Sequence, residues 1–247
     1  MRLTGRCLEL LKLLLCARWL TTGQVKRRFF PRATTDAVRK RLRILTLEGF
    51  LVKRQPEPTR EALFTLGRRG KQVLENETET EIVLQRALPR QQMHFLAVND
   101  IRIAAELAGS VNYFFGFWEL PGLGWDFPVI PDAVVSLKDR TFAVEVDRGM
   151  EGIRYFLQTK IARYKRGVLG LPLTAVLIVA DRGTRMQSLA KAIGGANGHF
   201  LYTTIELIRM NELSAPIFRD GMSNQAVSVV QEPLFSNSLA DKRVFHF

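Results

Sequence analysis

The chain has 247 residues, 47% of them hydrophobic and 24% charged, which is enough to fill the cores of two domains. Its formal net charge is +12, and all of the excess lies in residues 1–75, with 18 Lys+Arg against 6 Asp+Glu; residues 76–247 hold 18 of each. Solubility alone needs no such segregation, whereas a module that meets a polyanion does, and the absence of an apolar run long enough for a bilayer or of a signal-type cleavage site after Met1-Arg2 predicts a cytoplasmic protein without membrane contact.

The spacing of Cys7, Leu10, Leu11, Leu14 and Leu15 predicts a first helix over Arg6–Trp19 with one apolar stripe. Cys7 and Cys16 lie too far apart along that helix for a disulfide and are expected as reduced core residues. Thr21-Thr22-Gly23 offers a cap for a second helix, Gln24–Phe30, stopped at Pro31. Thr34 or Thr35 caps a third helix that ends at Gly49 and turns Val38, Leu42 and Leu45 inward and Arg39, Lys40 and Arg43 outward. Two short strands, Phe50–Lys53 and Ala62–Leu66, flank the hairpin tip Arg54–Arg60, and a further helix starts within Leu66–Leu74. Three short helices and a basic hairpin make residues 1–75 a winged helix-turn-helix. Thr35, Arg39, Lys40 and Arg43 are then set to enter the major groove of double-stranded DNA, and Lys53, Arg54 and Arg60 to meet backbone phosphate. Taken one at a time, each basic residue is equally well explained as solvated surface.

Glu75-Asn-Glu-Thr-Glu-Thr-Glu81 reverses the charge and lacks large apolar residues, so residues 76–90 are expected as a linker. A helix over Gln91–Ala108 follows; it contains His94, which has no second histidine or cysteine at ligand spacing and is expected as a hydrogen-bonding group. After a strand-like aromatic stretch, Val111–Leu120, the runs Val129–Leu137 and Thr141–Val146 pair as a hairpin through Lys138-Asp139-Arg140. Residues two apart in a strand share a face, so Glu145 and Asp147 point the same way and Asp132 can join them. Three converging carboxylates repel unless a divalent cation or a basic side chain neutralises them. The next helix, Glu151–Arg166, puts Lys160 and Tyr164 one turn apart on one face. A covered strand, Leu173–Ala180, a helix, Met186–Ile193, a strand, Phe200–Thr203, and a helix from Thr204 complete a mixed α/β domain over 91–210, with helices on both faces of its sheet. The chain as a whole is α+β, and 211–247 is expected as a loosely packed tail.

These residues resemble two known patterns. Glu106 on a helix, Pro131-Asp132 and Glu145-x-Asp147 on strands, and Lys160-x-x-x-Tyr164 on a helix resemble the PD-(D/E)XK nuclease-like fold. A winged helix followed by His94-Phe-Leu-Ala-Val-Asn-Asp100, Pro131-Asp132 and Glu145-Val-Asp-Arg148 is similar to the replication-relaxation family of plasmid and mobile-element proteins, over about residues 6–210. The resemblance implies a sequence-specific double-stranded DNA-binding protein acting in replication control or transcription regulation, with a homodimer or replication and conjugation proteins as further partners. It also implies an alternative, a Mg²⁺-dependent DNA endonuclease with Asp132, Glu145 and Glu106 as metal ligands and Asp132, Glu145, Asp147 and Lys160 as catalytic residues; a third reading is an adaptor in a replication or conjugation complex. The chain departs from the nuclease pattern at Asp147, where such an enzyme carries lysine, and Lys160 can substitute from the following helix. If Lys160 pairs with Asp147 instead, the group is a structural salt-bridge cluster.

Overall fold

The computed structural model describes residues 3–57, 60–84, 86–125, 129–165, 173–194, 200–221 and 224–231. Two compact units make up the chain, residues 1–99 and 100–247. The first three residues of the stretch expected as linker, 76–78, belong to a helix, α4 (Arg68–Thr78), and Glu75 accepts a hydrogen bond from the backbone of Ile82 at 2.8 Å. The division instead falls inside the long helix α5 (Gln92–Leu107).

In the first unit, α1 (Gly5–Ala17) is capped by Thr4, whose side chain accepts from the Cys7 backbone, and buries Cys7, Leu10, Leu11, Leu13 and Leu14. Leu15, expected in the buried stripe, and Cys16, expected as a core residue, are both exposed, and Leu13 is buried on the inward side. A two-residue strand, β1 (Leu20–Thr21), leads into α2 (Thr22–Phe29), where Thr21 and Gln24 form a capping box that satisfies two helix-end donors reciprocally. Thr34 caps α3 (Thr35–Leu47), and Gly49, at φ +76°, makes the left-handed turn that ends it. β2 (Leu51–Arg54) and β3 (Leu63–Leu66) pair antiparallel, and β1 adds to the outside of β3, giving the order β1-β3-β2. Gly67 packs against the α3–β2 turn so closely that an added Cβ would sit 2.3 Å from the Gly49 carbonyl oxygen.

The second unit is a seven-stranded mixed sheet in the order β10-β9-β8-β7-β6-β5-β4. β4 (Val111–Gly116), β5 (Ala133–Leu137) and β6 (Arg140–Asp147) form an antiparallel meander, closed between β5 and β6 by a tight turn with Lys138 at φ +54°. β6, β7 (Ala175–Ala180) and β8 (Phe200–Thr204) are parallel. The first crossover holds α6 (Ile153–Phe156), a π-helical turn (Leu157–Ile161) and α7 (Ala162–Tyr164); the second holds α8 (Gly183–Ile193). Phe156, Ile161, Tyr164, Met186, Leu189 and Ile193 from these helices pack with Ala143, Val176, Ile178, Phe200 and Tyr202 on one sheet face. On the other face, the Arg102 guanidinium of α5 lies 4.6 Å from the centre of the Phe114 ring. The segment expected as a loose tail is built into the fold: after α9 (Ile205–Met210), β9 (Phe218–Asp220) and β10 (Ala226–Val227) extend the sheet, and Leu213, Phe218 and Val229 are fully buried. Residues 232–247 of that segment lie outside the described residues. The architecture is α+β, with helices at the amino-terminal end and a mixed sheet beyond them.

Candidate functional site

Each unit carries one arrangement of chemical interest. In the first unit, the inward stripe Val38, Leu42 and Leu45 fixes the rotation of α3. Thr35, Arg39, Lys40 and Arg43 are consequently all exposed on its outer side. Arg39 pairs with Asp36 one turn back at 2.9 Å, a contact between two solvated side chains. Arg41, on the same helix, turns back to the α1 end and donates to the Cys7 sulfur at 3.0 Å, so it belongs to the packing and not to the basic face. Lys53 and Arg54 are exposed at the end of β2, and Arg60, exposed on the returning arm, pairs with Glu57 at 3.0 Å. Pro58 and Thr59, at the expected hairpin tip, lie outside the described residues.

The second unit holds a buried carboxylate–lysine cluster. Strand register puts Val134 beside Ala143 and Ala133 beside Val144, and the Asp132 backbone N–H bonds to the Val144 carbonyl at 2.9 Å. Asp132 therefore follows Val134 on the face that carries Ala143, Glu145 and Asp147. Glu145 has no exposed surface, and Asp132 has 8%. The Lys160 ammonium donates to Glu145 Oε2 and lies 3.6 Å from Asp132 Oδ2. The Tyr164 hydroxyl donates to Glu145 Oε1 at 2.6 Å, and the Val146 backbone N–H donates to Asp132 Oδ2 at 2.7 Å. Lys160 and Tyr164 reach one carboxylate from successive turns of the crossover, and the π-helical turn between α6 and α7 carries Lys160.

The cluster's electrostatics follow from burial and shared charge. Burial, with the nearby Asp132 carboxylate adding to it, pushes the Glu145 carboxyl up to about 8, against the pull of Lys160 and Tyr164. Burial lowers Lys160, but Glu145 and Asp132 together outweigh it and hold the ammonium above its ordinary range. Tyr164 is raised by burial and by Glu145. Lys160 thus stays charged, while burial and the Asp132 charge make Glu145 costly to ionise, a cost that Lys160 and Tyr164 reduce without removing.

Other expected site residues lie elsewhere. Asp147, on the same strand face, is engaged by Arg185 of α8, whose Nη2 donates to Oδ2 at 2.8 Å, and by the Gly149 backbone N–H at 2.6 Å. Lys160 pairs with Glu145, so the expected alternative of a Lys160–Asp147 bridge does not hold. Glu106 stands one turn beyond Arg102 on α5, the helix that covers the opposite face of the sheet, and does not join Asp132 and Glu145. Sequence reasoning leaves out Arg185, since nothing in spacing links the start of α8 to β6; the one available signal is that a buried Asp147 demands a cationic partner. It also leaves out the role of Asn99, whose side-chain amide donates to the Ala17 and Trp19 carbonyls at 2.9 Å each and secures the end of α1.

A magnesium ion wants an open, near-octahedral shell of oxygen donors, several of them water. The residues present do not fit it. Both Glu145 oxygens and Asp132 Oδ2 already accept from protein donors, the Lys160 ammonium lies between the two carboxylates, and among the described residues no group of three or more His, Cys, Asp or Glu side chains could hold a metal ion. No helix among the described residues is long and apolar enough to cross a membrane.

Residues 11–170 match the family described as Replication-relaxation. No curated protein and no solved structure matches the chain.

Proposed function

The chain belongs to the replication-relaxation family, and from that premise we propose that it is a sequence-specific double-stranded DNA-binding protein of a plasmid or mobile element, acting in replication control or transcription regulation. The observation that carries this reading is the exposed basic side of α3 beside the basic end of β2, on a unit in which Thr35, Arg39, Lys40, Arg43, Lys53 and Arg54 all reach solvent. A helix of this kind presents its outer side chains to base edges in the major groove, and a basic hairpin beside it meets the phosphates. The first unit is in this reading a winged helix-turn-helix, and the second a nuclease-like scaffold that supports a homodimer or contact with replication or conjugation proteins. The endonuclease alternative would draw on Asp132, Glu145 and Lys160, which do converge, but it needs metal donors that are already engaged within the protein.

Selection from a random duplex library with the full chain tests the proposal. A recovered consensus, protected in footprinting and lost in Arg43→Ala while the variant keeps its native circular dichroism, is the expected result. Equal retention of every sequence, or no retention, refutes it.

A further inference from the structure

The two acidic residues of β6 each have a basic side chain from a following helix: Glu145 has Lys160, and Asp147 has Arg185. Neither pair is a chance surface contact, since both carboxylates are buried and Arg185 also donates to the Glu151 carbonyl at 2.7 Å. The Lys160 position is the more telling. Its ammonium bonds Glu145, lies 3.6 Å from Asp132, and stands 5.8 Å from the centre of the Phe156 ring. A cation bridging the two carboxylates would lie between them, where this ammonium lies. The remaining Glu145 oxygen is closed by Tyr164 from the same helix, and the helix departs from α geometry across Leu157–Ile161, the turn that delivers Lys160.

We propose that the Lys160 ammonium substitutes for a divalent cation between Asp132 and Glu145, so that the second unit holds its acidic pair together with an internal charge and binds no metal there. A single positive charge that is part of the chain holds the acidic pair, with or without a proton on Glu145, and needs none of the open coordination positions a hydrated ion requires. Removal of the ammonium leaves two buried carboxyl groups without their cation, on either side of the space the lysine side chain had filled. The wild-type protein is blocked and Lys160→Ala is a metal-binding protein.

Titration of the full-length protein with Mn²⁺, read by the electron paramagnetic resonance signal of the free ion and by thermal melting, tests this. The wild type is expected to leave the Mn²⁺ signal and its melting temperature unchanged. Lys160→Ala is expected to melt lower without metal, to take up one Mn²⁺ per chain, and to regain melting temperature as it does so; Asp132→Asn in the same background is expected to abolish the uptake. Mn²⁺ bound by the wild type and lost in Asp132→Asn would overturn the proposal, as would a folded Lys160→Ala protein that binds none. Should Lys160→Ala fail to fold, the wild-type titration with its Asp132→Asn control decides the matter. Duplex binding measured on the same samples without metal reports on the DNA-binding reading separately, because this inference does not rest on it.

Discussion

Glu145→Gln separates the proton on the buried cluster from everything else that titrates. In the folded protein the carboxyl is raised from 4.5 to about 8, foremost by burial. Between those two values the folded state binds more protons at this position than the unfolded chain, so the contribution to stability is fully present below about pH 4.5 and is lost as the pH rises through about 8. At about 1.4 kcal/mol per pH unit, the loss across the window is on the order of 5 kcal/mol. Glutamine keeps the shape and imitates the protonated group: its carbonyl oxygen can accept from Lys160 and its amide can donate to the Tyr164 oxygen, while Lys160 retains Asp132. Urea unfolding at a series of pH values, followed by tryptophan fluorescence of wild type and variant, gives the comparison. The variant's advantage over wild type is expected to grow steadily as the pH is raised from 5 to 8, with a slope approaching one proton. Parallel pH profiles for the two proteins, or a wild type that gains on the variant as the pH rises, would refute the reasoning.

Three further substitutions probe the framework of the first unit by thermal or denaturant unfolding. Asn99→Ala leaves the Trp19 carbonyl without its amide donor and is expected to cost about 1–3 kcal/mol, with an unchanged far-ultraviolet spectrum. Thr21→Ala removes the hydroxyl half of the capping box on α2 and is expected to cost about 1 kcal/mol; a loss too small to measure would show that the cap contributes nothing here. Gly67→Ala drives a methyl to 2.3 Å from the Gly49 carbonyl oxygen, a backbone atom, so the α3–β2 turn must shift at a cost of about 1–3 kcal/mol, and an equally stable variant would contradict the close packing.

Apolar spacing is sufficient to place α1 and α3, because each buries a stripe whose period its residues repeat, and cap, proline and turn residues bound α2 and the two longer strands of the first unit. β1 escaped it: two residues contain no period, and Leu20–Thr21 is a strand only because β3 lies beside it. The same holds for β9 and β10, whose short runs between Pro216 and Pro233 look irregular until β8 supplies a template. The strand period alone put Glu145 and Asp147 on one face, and the hairpin turn brought Asp132 to it. The division of partners between them was out of reach, since it depends on where α6, α7 and α8 land on the sheet: Lys160 arrives at Glu145 and Arg185 at Asp147. The place of Glu106 depends on the same geometry, as the periodicity of α5 gives a face but not the side of the sheet that the helix covers.

The central claim is that α3 and the adjoining hairpin grip duplex DNA through phosphate and base contacts. Its most direct test is the anisotropy of a labelled duplex carrying the selected sequence, titrated with full-length protein over a range of salt concentrations, for wild type and for Lys40→Ala/Arg43→Ala. Binding whose log affinity falls linearly with log salt, and whose slope flattens by about 0.9 for each phosphate contact removed, is the predicted result. Absence of binding at low salt, or a double variant that binds with wild-type affinity and slope, would contradict the account.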